Sequence, residues 1–419
     1  MSGTFGLRQC IPSVRSNTTP TIRHCVLQGR LVSLKQDPTH LYYKVSAATR
    51  IPSRSPNTNG NTKLNNTESN STADLLKSYF SLSHSLATLY SQWSASDPNF
   101  ARRAPSFTGI RILNQDTWEA LVAFICSSNN NISRISQMVH KLCLHYGPYV
   151  GSIDGEAFHD FPRPEALAGG SKVEAHLREL GFGYRAKYIA ETARIVATER
   201  PKGWLTGLRN PECPAAILHD DEPSNGVKSE EQDGSPTYKA AQEALLELTG
   251  VGPKVADCVC LMGLGWGEAV PVDTHIWQIA QRDYAFGKGK GGGGKTFSKT
   301  MYDAVGDHFR KIWGLQAGWA QSVLFTANLR SFSDQAVGAK AKKGATTGGI
   351  TNPEKVEVEV VKVEESQEVL GTEAGVVSSR KRRRVTTESV VLKNENGGDE
   401  KTATTRVATR SSKRKRAPA

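Results

Sequence analysis

Residues 239–277 read KAAQEALLELTGVGPKVADCVCLMGLGWGEAVPVDTHIW. Ala241, Ala244, Leu245 and Leu248 recur at i, i+3, i+4, i+7, the apolar stripe of a helix. Thr249-Gly250-Val251-Gly252 breaks that helix with two glycines, which take backbone angles other residues avoid. Pro253 suits the first position of a second helix, where its missing N–H costs nothing, and Val255, Val259 and Met262 give that helix its own apolar face. Two helices joined by such a hairpin leave unpaired N–H groups at the start of the second, and those donors with the helix dipole suit a phosphate. Lys254 sits in that first turn. Nineteen residues on, past Gly267 and Pro271, Asp273 stands in an extended Val-Pro-Val-Asp loop.

Each feature alone has a bland reading: a structural turn, a solvated lysine, an aspartate that caps the next helix. Together, the hairpin, the lysine two residues beyond it and the Pro-Val-Asp loop resemble the helix-hairpin-helix signature of base-excision DNA glycosylases. The wording GVGPKVADCVCLM followed by AVPVDTHIWQIAQRDY resembles one branch, the eukaryotic 8-oxoguanine DNA glycosylase/lyase, over about Cys25 to Phe332.

The resemblance implies an α+β fold and a set of roles. Lys254 is the nucleophile that forms a Schiff base with the sugar, and Asp273 stabilises the cationic sugar. Phe325 and Cys258 sandwich the extruded base, Gln321 reads its Watson–Crick edge, and Met262 and Pro271 complete the pocket. The backbone at Gly250, Gly252 and Val255, with His275, holds DNA phosphates. In the string SSNNNISRI (127–135), Asn129 enters the space vacated by the base and Arg134 contacts the orphaned cytosine. In GFGYR (181–185), Tyr184 wedges beside the lesion and Arg185 pairs with the DNA. Chemistry alone leaves other readings for these loops, since consecutive asparagines suit a helix start and a tyrosine often packs under a loop. Two other functions stay open: a glycosylase for another damaged base, and a non-catalytic helix-hairpin-helix DNA-binding protein. A clamp has no need of Lys254 with Asp273, and the branches acting on alkylated bases or on adenine usually lack the lysine.

Around this centre the chain divides by composition. Residues 1–23 form a leader, and no Asp or Glu occurs before residue 37. An Arg/Ser-rich start of this kind resembles a mitochondrial transit peptide, with a disordered leader as the other reading. Residues 24–110 read as a small α+β domain, with antiparallel strands from Cys25 to Val45, a turn near Asp37-Pro38-Thr39, and a polar, disordered loop over 53–73. Residues 111–335 form the helical glycosylase domain. It opens with a capping box at Asp116–Glu119 and a stripe of Trp118, Leu121, Val122 and Ile125, and closes with a helix over about Ala317–Leu329. The acidic segment 217–236 and the Gly/Lys run 287–294 read as linkers. The family carries a Gly-Gln-x-Phe-Arg-Trp segment near its N-terminus, whose glycine carbonyl distinguishes 8-oxoguanine from guanine. Nothing in residues 1–24 matches it. The expectation is a β domain one strand short with an exposed edge, through a truncated start or a real loss, and weaker stability and lesion selectivity as a result.

The tail 336–419 has no aromatic residue and reads as disordered; Val356, Val358 and Val360 hint at a strand with nothing to pair against. Its basic runs at 380–384 and 413–416 look like nuclear localisation signals, which places the protein in the nucleus, with the mitochondrion as a second compartment. The tail carries 18 Lys+Arg against 11 Asp+Glu, the body 35 against 30, so most of the +12 charge lies outside the catalytic part. The seven cysteines include no CxxC pair, which indicates neither a zinc site nor a disulfide framework, and none lies beyond Cys260 to hold an iron–sulfur cluster. No run of 18 apolar residues predicts a membrane span. The expected partner is damaged double-stranded DNA, bound by a monomer without metal or cofactor, with downstream base-excision repair proteins to follow.

Overall fold

Alternating apolar residues in 23–46 build the first layer. β1 (Ile11–Pro12), β2 (Arg23–Leu27), β3 (Arg30–Gln36) and β4 (His40–Ser46) are antiparallel neighbours in that order. Gln28 and Gly29 both take positive φ (48° and 72°), the two-residue hairpin geometry that matches strand twist. At the next turn, the Asp37 carboxylate accepts from His40 N at 2.6 Å. Period two then separates the faces. Cys25, Leu27, Val32, Leu34, Leu41 and Tyr43 pack on Leu75, Leu76, Tyr79 and Phe80 of α1 (Asn66–Tyr79) and the residue that follows it. Val26 and Leu31 pack instead on Val150 and Phe158, from the hairpin of β5 (Tyr149–Ile153) and β6 (Glu156–His159). The structure, a computed structural model, describes residues 11–12, 22–37, 40–46, 66–213, 236–287, 298–329 and 359–362.

Four expectations change. The polar loop ends earlier than residue 73, because α1 begins at Asn66. The tail strand finds a partner: β7 (Glu359–Lys362) lies parallel to β4, pairing His40 with Glu359 and Tyr43 with Lys362. The strand itself reads Glu359-Val360-Val361-Lys362, and the open edge of β4 supplied its hydrogen-bonding groups. At the opposite side, β1 pairs Ile11 with His24 and Pro12 with Arg23, so β2 is not the bare edge expected. Finally, α2 (Leu86–Ser96) and α3 (Pro98–Arg103), placed by sequence in the N-terminal domain, give Trp93 and Phe100 to a core made mostly by C-terminal helices.

The helical body follows as α4 (Thr117–Ser127), α5 (Ile132–Tyr146), α6 (Pro164–Leu167), α7 (Gly170–Glu179), α8 (Arg185–Arg194), α9 (Trp204–Gly207), α10 (Tyr238–Leu246), α11 (Pro253–Met262), α12 (Thr274–Asp283), α13 (Lys299–Trp313) and α14 (Ala317–Asn328). Asp116 caps α4 by accepting from Glu119 N at 2.8 Å, as the capping box predicts. The single stripe expected of α4 is instead burial on all sides from Thr117 to Cys126, because the helix runs through the middle of the body against α5, α8 and α11. A second core joins Trp93, Phe100, Phe309, Trp313 and Trp319, with Phe309 and Trp313 stacked at 4.8 Å. The two cores meet around α11 and the loop before α12. Most of 217–236 and of 287–294, the basic runs of the tail and the leader (apart from β1 and residues 22–23) lie outside the described residues. Among the described residues no helix is long and apolar enough to cross a membrane.

Candidate active site and DNA-facing loops

The hairpin glycines act for different reasons. Gly250 has φ +80°, and a Cβ there would meet the Tyr188 ring 2.4 Å away, so only glycine fits. Gly252 has φ −100°, which any residue adopts, and a Cβ there would meet nothing within 4 Å. Its contribution is an open approach: it caps α11 without a side chain. The first helical bond runs from Ala256 N to Gly252 O at 2.9 Å, so the amides of Lys254 and Val255 precede it with no intrahelical acceptor. Val255's side chain is core, 4% exposed, and what it can offer DNA is its backbone N–H.

Lys254 is half-buried at this helix start. Its Nζ donates to Ser127 Oγ at 2.9 Å and lies 5.3 Å from the centre of the Phe124 ring. Cys258 stands one turn further along α11 on the same face. Burial pushes its thiol up to about 11; the Lys254 ammonium pulls it back, and the carboxylates of Asp257 and Asp273 add to the rise. The thiol is therefore protonated at neutral pH and within electrostatic reach of both proposed catalytic groups.

Asp273 is the N-cap of α12 and accepts from Ile276 N at 2.9 Å. The bland reading of this residue is thus correct, and it is compatible with the other: capping fixes the carboxylate where the loop delivers it. Pro271 is buried just before it, and Met262 is half-buried against the main core. Phe325 meets the His275 ring edge-on at 5.6 Å, which joins α14 to the first turn of α12. Gln321, one turn before Phe325, is 4% exposed. Electrostatics thus link Lys254, Cys258 and Asp273, and a ring contact links His275 on α12 to Phe325 on α14, one turn from Gln321.

The second group of residues lies on two facing loops. Asn129 is exposed with φ +48°, while Asn131 caps α5 by accepting from Arg134 N at 2.9 Å. The helix-start explanation therefore belongs to Asn131, and Asn129 is left to project. Arg134 is exposed, its guanidinium donating to Gly181 O at 3.1 Å. Tyr184 is 44% exposed, its hydroxyl donating to Ser128 O at 3.0 Å, and its ring meets Tyr188 edge-on. Arg185 departs from expectation. It is 3% exposed and donates to the carbonyls of Ser128 and Asn129, with its guanidinium 4.5 Å from the Tyr184 ring centre. An arginine used in this way braces the turn at 128–129 and the wedge tyrosine rather than reaching out to DNA.

Sequence reasoning missed Ser127, which touches Lys254, and Asp257, which lies inside the hairpin motif. Asp257 is 1% exposed and accepts from Tyr238, Gln242 and Tyr302. Burial pushes its carboxyl up to about 6, against the pull of those three donors and Arg310. An acidic residue in an apolar helical stretch was the available signal.

The 8-oxoguanine DNA glycosylase N-terminal domain model matches residues 2–121, and the model of the helix-hairpin-helix base-excision DNA repair superfamily matches 122–293. The first match reaches back well before Cys25, where the motif resemblance begins. The chain is 43% identical over 283 residues to the N-glycosylase/DNA lyase of Saccharomyces cerevisiae, covering 64% of this chain and 69% of that protein. To N-glycosylase/DNA lyase OGG1 of Arabidopsis thaliana it is 39% identical over 251 residues, covering 58% and 59%. Among solved structures it is similar to MBOgg1 in complex with a low-affinity DNA ligand (TM-score 0.53, 25% identity, 79% of this chain and 90% of that one). It shares its fold with the Clostridium acetobutylicum 8-oxoguanine glycosylase/lyase bound to DNA containing cytosine opposite 8-oxoG (TM-score 0.54, 22% identity, 79% and 89%). With the hairpin lysine and the loop aspartate in place, and with a relative this similar over two thirds of its length, this chain belongs to the 8-oxoguanine N-glycosylase/DNA lyase family.

Proposed function

We propose that Lys254 is the nucleophile and Asp273 the electrostatic partner of a bifunctional enzyme that excises 8-oxoguanine from duplex DNA, opposite cytosine, and nicks the resulting abasic strand. A base inside a duplex is unreachable, so the lesion must be turned out at a cost of a few kcal/mol. Asn129 and Tyr184, exposed on facing loops, offset that cost by filling the gap. The amides of Lys254 and Val255, with His275, hold phosphates. Phe325 and Cys258 flank the base, and Gln321 reads its edge.

Attack requires the neutral amine. Lys254 Nζ bonds to C1′ as the glycosidic bond breaks, its electron pair leaving with the base, which takes up a proton. The Asp273 carboxylate stabilises the positive charge on the sugar in the transition state. Ring opening converts the aminal to an imine, which acidifies the C2′ hydrogen. Loss of that proton expels the 3′ phosphate by β-elimination and leaves a nicked strand.

The observation that carries this reading is the position of Lys254, half-buried on the first turn of α11 beside Cys258. Borohydride trapping tests it. The wild-type protein incubated with an 8-oxoguanine duplex is expected to yield a covalent adduct, and Lys254→Gln none, with lesion-DNA binding retained. Wild-type trapping by Lys254→Gln would remove the assignment, and no adduct from either protein would favour a monofunctional glycosylase or a DNA clamp. The basic runs at 380–384 and 413–416 support a nuclear protein, with a mitochondrial form resting on the acid-free leader. We also infer a monomer that hands nicked DNA to downstream repair proteins.

A further inference from the structure

We propose that Ser127 is a positioning residue for the nucleophile, an inference that rests on the assignment of Lys254. Ser127 is the last residue of α4. Its hydroxyl donates its only proton to Phe124 O at 2.7 Å, so the oxygen faces Lys254 Nζ as an acceptor, at 2.9 Å. The lysine is also over the Phe124 ring, so one turn of α4 supplies both a polar and a π contact to the amine. A lysine stem has several rotatable bonds, and holding its amine in one place before attack removes freedom that would otherwise be lost on the way to the transition state. An acceptor on a half-buried helix end fixes the nitrogen without making or breaking a covalent bond.

The placement of Ser127 carries a second consequence. The next residue, Ser128, offers the carbonyl that accepts from both Tyr184 and Arg185, and the residue after that is Asn129. Three consecutive residues thus hold the nucleophile, brace the wedge and fill the gap. The amine is positioned from the same short segment that meets the distorted duplex, so engagement of the lesion and placement of Lys254 share one support.

The test uses the full-length protein with Ser127→Ala and Ser127→Thr, and two substrates: a duplex with 8-oxoguanine opposite cytosine and one with a preformed abasic site. Excision is followed under single-turnover conditions on the first, and borohydride-trapping rate on the second. Ser127→Ala is expected to slow both by a similar factor of about tenfold, the effect of one hydrogen bond to a charged or reacting group. DNA dissociation constants should stay within about twofold, since the residue acts through the amine and not through DNA. Ser127→Thr, which keeps the hydroxyl, should restore both rates. A merely structural role predicts a fall in binding and thermal midpoint with no rescue by threonine. Wild-type rates for Ser127→Ala overturn the proposal, as does slowed excision with unchanged trapping, or loss that threonine does not restore. Lys254→Gln run alongside separates the two levels: if it still traps, the nucleophile itself is misassigned.

Discussion

The Tyr302 hydroxyl donates to Asp257 on the hairpin helix and accepts from Val272 N, 3.4 Å away, in the residue before Asp273. One phenol from α13 therefore ties the helix that carries Lys254 to the loop that carries Asp273, and Tyr238 and Gln242 hold the same carboxylate from α10. The two halves of the proposed catalytic pair are registered through a buried acid that touches neither.

That acid makes stability depend on pH. Its carboxyl is raised from 3.8 to about 6, so the folded state holds the proton more tightly than the unfolded chain does. The contribution is fully present below about pH 4 and is lost as pH rises through 6. Over that window it amounts to about 1–3 kcal/mol. Urea unfolding at several pH values should show the difference in stability between wild type and Asp257→Asn shifting by this amount between pH 4 and pH 7, wild type gaining on the acid side. A difference independent of pH would mean that Asp257 titrates normally.

Asp273→Asn should slow single-turnover excision by about 10²–10³, the scale for removing one charged stabiliser, with DNA affinity nearly unchanged. Asparagine caps a helix about as well as aspartate, so α12 keeps its start and the thermal midpoint should hold. An unchanged excision rate would leave Asp273 with its capping role alone.

Gly250→Ala should destabilise the protein by about 1–3 kcal/mol through the left-handed backbone alone. The added methyl would also press on Tyr188, against whose ring Tyr184 packs. Calorimetry should show a lowered midpoint, and lesion-DNA binding should weaken with it. Gly252→Ala, where backbone and space both permit a side chain, should keep the midpoint while weakening DNA binding. Equal midpoints for the two variants would contradict this division of roles.

Truncation after Phe332 leaves every proposed site residue in place, so excision should stay near wild type. It removes β7 and frees the edge of β4, which invites pairing with other chains. Light scattering at rising concentration should show more association in the truncated protein, and a fluorescent fusion should lose nuclear enrichment. A truncated protein as monodisperse as the full chain would mean that the β7 pairing does not protect this edge.

The local steps were legible in the sequence because they depend on neighbours in the chain. The hairpin, the cap at Asp116, the β-branched and aromatic strand runs from Cys25 to Val45 and the break at Gly181–Tyr184 follow from backbone preference and period, and the lysine and aspartate follow from a motif spaced within 20 residues. What tertiary structure alone decided depends on groups far apart in sequence. Burial of α4 on every face needs α8 and α11 from far along the chain, and the withdrawal of Arg185 depends on two carbonyls 56 and 57 residues earlier. The contact of Ser127 with Lys254 spans 127 residues, and the elevation of Asp257 comes from burial, against the pull of a phenol delivered from α13. Helical period tells which side of a segment is apolar; it carries no information about which polar group will lack water, since desolvation is a property of everything packed around it.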